Sequence, residues 1–170
     1  MDFLTLATNR YSERHFDPRP VEKEKLRLIL EAGRIAPTGC NNQPQVVYVI
    51  KSTDAMAKAR STGASLYGCP IALLVCYDRN LVWKNPIEDY NTGEQDASIV
   101  AASMMFEAEE LGIHTLWIRG FDSKDVVSTF KLPENQVPVM MLALGYPSEK
   151  SHPAHLHWKR KALEETVKEI

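Results

Sequence analysis

The stretch RYSERHF, residues 10–16, carries the densest set of groups able to hold an anion. Arg10, Ser12 and Arg14 alternate there, with Tyr11 and Glu13 between them. In an extended segment alternate residues project to one side. Two guanidiniums and a hydroxyl on one side suit a phosphate, which arginine engages through paired N–H···O bonds. Hydrogen bonds to a charged group are worth about 1.5–3 kcal/mol each. The same residues also suit a solvated loop whose arginines pair with Glu13 or Asp17.

Other segments offer chemistry of their own. APTGCNNQPQ, residues 36–45, is longer than the usual connection of about 4–6 residues and is bracketed by Pro37 and Pro44. Amides both donate and accept, so Asn41 and Gln43 can read a heteroaromatic edge. Prolines keep such a loop stiff and lower the cost of ordering it on a ligand. The bland alternative is a helix-to-strand connection. LWIRGF, residues 116–121, reads as a strand that opens into Gly120, where a backbone N–H can approach a ligand closely. It reads equally as an ordinary strand-to-helix turn. Lys159-Arg160-Lys161 in the tail either completes an anion site or forms a solvated face. His152, His155 and His157 follow H-x-x-H-x-H, which matches no closed zinc arrangement, so no metal is expected. Cys40 belongs to no nucleophile signature and reads as a small filler. G-x-G-x-x-G, P-loop and G-x-S-x-G patterns do not occur.

The elements that must position these groups follow from periodicity. Helices are expected over 2–9, 21–35, 53–61, 96–112 and 124–130, the last capped by Asp122 or Ser123. Residues 10–20 form a loop broken by Asp17-Pro18 and Pro20. In the longest helix Ala97, Val100, Ala101, Met104, Met105, Ala108 and Leu111 share one side, and Gly112 ends it. Strands are expected over 46–50, 71–77, 114–118 and 137–144. Residues 79–95, with Trp83 and Tyr90, form an irregular excursion, and 148–170 a polar tail. Alternating strands and helices give an α/β or α+β class.

The chain has 170 residues, which suits one domain over 1–170 that buries about 70% of its unfolded surface. A net charge of −2 carries no general field for nucleic acid or membrane. No segment approaches the roughly 18 apolar residues of a membrane span, and the N-terminus lacks a signal-peptide pattern. Cys40, Cys69 and Cys76 lack metal-type spacing and fit reduced thiols, so the expected location is cytoplasmic.

RYSER, APTGCNNQP, Asp96, Ser98 and Ile99 opening the long helix, WIRGF, and a basic patch before KALEETV occur in that order. Across nearly the whole chain this resembles the nitroreductase family of flavin enzymes. The resemblance implies an α+β fold, with a mixed, mainly antiparallel sheet flanked by helices. It also implies an intertwined homodimer that binds FMN at the subunit interface. Arg10 and Ser12 would hold the phosphate and ribityl chain with Tyr11 beside them, and Arg160, with Lys159 or Lys161, would close the phosphate site. Arg14 would meet the pyrimidine edge. Pro37, Thr38 and Asn41 would reach the flavin held mainly by the other subunit. Ile118, Arg119 and Gly120 would lie beside flavin N5.

The implied reaction takes hydride from NAD(P)H onto that atom and passes electrons to a nitroaromatic, quinone or similar acceptor. One face serving both substrates in turn implies ping-pong kinetics. The flavin carries the chemistry, so no catalytic side chain is nominated. Residues 79–95 would help select the acceptor. The rival readings are an FMN-binding or storage protein, or another flavin reaction on the same fold, such as dehalogenation or dehydrogenation. Three positions depart from the family pattern: Gln45 where an aromatic is common, Ala162 where a proline is common, and Arg119 where a small residue is frequent. Arg119 could crowd the ring, bind an anionic substrate or turn to solvent. Ile99, Met105 and Phe106 place apolar groups beyond the main stripe of the long helix, as a subunit contact would require.

Overall fold

Two strands of the computed structural model, which describes residues 2–170, are apolar almost throughout: β2 (Ile71–Asp78) and β4 (Gln136–Gly145). Such strands need cover on both faces, which places them at the centre of a sheet. They pair antiparallel with each other, β1 (Gln45–Ile50) flanks β2, and β3 (His114–Ile118) flanks β4. Alternation along the strands then divides the core. Leu73, Val75, Met140, Leu142 and Leu144 face α2 (Lys23–Arg34) and α4 (Gly93–Glu110). Ala72, Leu74, Cys76, Met141 and Ala143 face α3 (Thr53–Ser61) and α5 (Ser123–Phe130).

The expected elements are present, with instructive shifts. Asp122 caps α5 by accepting the N–H groups of Lys124 and Asp125. Ala97, Val100, Ala101, Met104 and Ala108 of α4 are fully buried. Helix α4 begins at Gly93, not at residue 96, because Thr92 O accepts Asp96 N–H and Asn91 Oδ1 accepts Gly93 N–H. Gly93 is required there by close approach. A Cβ on it would lie 2.5 Å from Tyr77 Cε2. Gly93→Ala should therefore destabilise the protein by about 1–3 kcal/mol, as overpacking does, measured as a lowered urea midpoint at unchanged m-value. An unchanged midpoint would mean that the Tyr77 ring moves aside freely.

α1 (Phe3–Asn9) is capped by Asp2, and Phe3 meets Phe106 of α4 edge-on at 5.1 Å. Of the other two residues off the main α4 stripe, Met105 packs on the core and Ile99 is exposed. The tail adds one helical turn, α6 (Leu163–Thr166), beyond what periodicity shows. No helix of the described residues is long and apolar enough to cross a membrane.

Residues 10–17 do not wander as a free loop. Ser12 pairs in parallel with Thr115 on the edge strand β3, and Glu13 N–H donates to Thr115 O at 2.9 Å. The chain then crosses to the end of β4, where Phe16 pairs with Pro147. The arginine-bearing segment is thus extended and anchored by the sheet it borders.

Candidate functional site

An extended backbone at residue 12 divides its side chains between two sides. Arg10, Ser12 and Arg14 line a cleft of about 270 Å³ together with Tyr11, and the tail supplies Ala154, Leu156, His157 and Arg160 to its other wall. No acid lines this cleft. Glu13 points the other way and is fully buried. One of its oxygens accepts the N–H groups of Arg14 and His15, at 2.9 and 2.7 Å. The other meets His114 Nδ1 at 3.1 Å and accepts the Ser151 hydroxyl. Asp17 accepts the N–H of Arg19. Neither carboxylate is paired with the cleft arginines, and the acid that acts on Arg10 is Glu109.

Charges around the cleft act on Arg10 in both directions. Burial pushes the Arg10 guanidinium below its ordinary range; nearby Glu109 opposes this and Arg160 adds to it. Arginine stays charged regardless, and two cations that disfavour each other are relieved by an anion between them. Burial pushes the Glu109 carboxyl up, against the pull of His114 and Arg10, and Glu13 adds to the rise. Glu109 Oε2 is buried without a hydrogen-bond partner. Burial also works on Glu13, but the bonds from Ser151, His15 and His114 prevail and hold its carboxyl below the usual range.

A second cleft of about 200 Å³ adjoins the first through Arg14, which lines both. Its other residues are Ser65, Tyr67, Leu116, Trp117, Ile118, Arg119 and Gly120. The Arg119 guanidinium stacks over Phe121 at 5.0 Å, folded onto its own loop. Tyr67 and Gly68 turn the chain at positive φ, 52° and 75°.

Pro37, Thr38 and Asn41 line neither cleft. Their loop is held at the start of α4, where Asp96 Oδ1 accepts Gly39 N–H at 2.8 Å and Oδ2 accepts the Thr92 hydroxyl at 2.7 Å. Cys40, Asn41 and Gln43 all have positive φ, 49°, 56° and 51°. Asparagine tolerates this region and cysteine does not favour it. Cys40 is exposed on this turn, which corrects its reading as a filler. Cys69 and Cys76 are the buried thiols, and burial pushes both up to about 12. Residues of the 79–95 excursion pack on the same loop: a Cβ on Gly39 would meet Thr92 Oγ1 and Trp83 Cβ.

Reading the sequence missed Glu13 as a buried anchor, together with Ser151, Ser65, Tyr67 and His157. Single polar residues of this kind carry no periodicity, and only their tertiary partners distinguish them. The tail histidines hold no metal cluster among the described residues. His152 faces His15 with ring centroids 5.9 Å apart, and His157 packs between Tyr11 and Trp158.

Fold and clefts together define an α+β protein with an extended, arginine-bearing edge. The chain belongs to the nitroreductase family, whose model matches residues 7–66 and 57–146. It is similar to a nitroreductase family protein of Clostridium difficile, 39% identical, with a TM-score of 0.92 over 99% of this chain and 98% of that one. A relative in Methanothermobacter thermautotrophicus, provisionally named NADH dehydrogenase/NAD(P)H nitroreductase, is 29% identical over 88% of this chain and 79% of its own length. An FMN reductase (NAD(P)H) of Bacillus subtilis is 26% identical over 88% of this chain and 68% of its own length.

Proposed function

We propose that this protein is an FMN-dependent oxidoreductase that takes reducing equivalents from NAD(P)H. The observation that carries the reading is the acid-free cleft lined by Arg10, Ser12, Arg14 and Arg160. This donor set fits FMN. A phosphomonoester carries about −1.5 to −2 charges, and the guanidiniums of Arg10 and Arg160 with the Ser12 hydroxyl match that charge and its oxygens. Arg10, Ser12 and Arg160 hold the phosphate, with Tyr11 packed against the tail beside them. Arg14, common to both clefts, serves the pyrimidine edge, where a cation favours the reduced anionic cofactor. Ile118, Arg119 and Gly120 supply backbone at the ring. FMN held there would supply the redox chemistry between the nicotinamide and a nitroaromatic, quinone or similar acceptor, in a ping-pong order.

A homodimer completes the site on this reading. Pro37, Thr38 and Asn41 line neither cleft of their own subunit and reach the cofactor of the other. Exposed apolar side chains supply a surface for that contact, among them Phe3, Leu4, Ile35, Ile99 and Trp158. The 79–95 excursion travels with the amide loop and so borders the partner's acceptor face.

The test is a visible spectrum of the purified protein, followed by anaerobic NADH and then NADPH. A flavin spectrum that bleaches and recovers on adding a quinone or nitroaromatic is the expected result. A flavin spectrum that neither nicotinamide bleaches favours a binding or storage role. No flavin, even after incubation with FMN, overturns the proposal.

A further inference from the structure

The wall of the phosphate cleft that carries Arg160 is built from the tail, which meets the arginine segment through two ring contacts, His157 with Tyr11 and His152 with His15, and few directed bonds. The hydrogen bonds of His152, His157, Lys159, Arg160 and Ala162 all run to residues within three positions. Ser151 is different. Its hydroxyl meets Tyr11 Oη at 2.6 Å and donates to the buried carboxylate of Glu13. The same carboxylate holds the N–H groups of Arg14 and His15 and meets His114 on β3. One side chain therefore joins the arginine segment, the edge strand and the base of the tail.

A structural role alone does not explain the choice of residue. Burying a carboxylate is costly unless several hydrogen bonds compensate it, and an apolar side chain fills such a space without that cost. What an apolar residue cannot do is fix the spacing of two backbone segments through directed bonds. We infer that Glu13, acting through Ser151, is a positioning residue for the cofactor phosphate: it fastens the tail so that Arg160 faces Arg10 and Ser12 across the cleft. This rests on the reading of that cleft as the FMN phosphate site. Glu13 itself points away from the cleft and touches no ligand.

The readout is the ratio of FMN to riboflavin affinity, measured by fluorescence quenching on the full-length apoprotein. The two ligands differ only in the phosphate, so a general loss of stability leaves the ratio unchanged. Glu13→Ala should lower the ratio about tenfold or more, the scale of one hydrogen bond to a charged group. Glu13→Gln, which keeps an acceptor for the two backbone N–H groups, should restore part of it. Ser151→Ala cuts the tail attachment alone, leaves the arginine segment anchored, and should lower the ratio similarly. In an Arg160→Ala background neither Glu13→Ala nor Ser151→Ala should lower it further, since the group they position is gone.

Should Glu13→Ala fail to fold, Ser151→Ala decides. A wild type that prefers FMN, with Ser151→Ala keeping the full preference or adding its loss independently to that of Arg160→Ala, overturns the inference while leaving the phosphate site standing. A wild type with no preference for FMN over riboflavin overturns the phosphate site and this assignment with it.

Discussion

Replacing Arg10 and Ser12 together with alanine should weaken FMN binding about a hundredfold or more, while riboflavin binding changes little. Each residue offers a hydrogen bond to a charged group, worth about 1.5–3 kcal/mol, and about 1.4 kcal/mol is a factor of ten. Two such losses set the scale. The cleft geometry explains why no neighbour substitutes. Arg14 spends one N–H on Ser12 O and extends into the adjoining cleft, and Glu13 is turned away. Arg10 has a second duty. It lowers the carboxyl of half-buried Glu109, whose Oε2 has no partner. Arg10→Ala alone therefore also leaves Glu109 facing its burial with less support, and its carboxyl should titrate higher still. Ser12→Ala carries no such burden and is the cleaner single variant. Titrating FMN and riboflavin in parallel separates the effects: disturbance around Glu109 affects both ligands, and loss of the phosphate site affects FMN. Equal weakening of both ligands in Ser12→Ala would remove the phosphate from this cleft.

The sequence was most legible where one physical rule governs many residues. Unbroken apolar runs in β2 and β4, period 3.6 in α4, and caps at Asp122 and Gly112 made the elements readable, because each rests on repeated local signals. The grouping of Arg10, Ser12 and Arg14 was legible for the same reason: once the segment is extended, alternation settles which side chains travel together. Glu13 shows where this ends. Its place in the alternation is visible, but its meaning depends on His114 and Ser151, 101 and 138 residues away. Local pattern gave it the role of counter-ion, and the sheet edge made it an anchor. The start of α4 was misplaced for a related reason, since Thr92 and Gly93 have loop-like preferences that the bonds to Asp96 and Asn91 and the packing of Gly93 on Tyr77 override.

Asp96→Ala should cost about 3 kcal/mol or more of stability, because two hydrogen bonds to one carboxylate vanish in an environment where Asp96 is 2% exposed. Gly39 N–H and the Thr92 hydroxyl lose their acceptors together. The damage should not stay local. Cys40, Asn41 and Gln43 hold left-handed backbone conformations, which persist only where the surroundings over-determine them. Asp96 is the main-chain anchor of that turn, so its loss should release residues 38–43 to faster proteolysis and hydrogen exchange than any change in the clefts produces. Asp96→Asn separates charge from geometry. Its carbonyl can still accept from Gly39, and its amide can donate to the Thr92 hydroxyl, so the cost should fall to about 1 kcal/mol. Urea unfolding of the apoprotein measures both. If the alanine variant loses less than about 0.5 kcal/mol, the amide loop holds its shape through Pro37, Pro44 and Thr38 alone. With the expected loss, the stiffness of the loop is tertiary in origin, and the carboxylate at the head of α4 is what holds the backbone that carries Thr38 and Asn41.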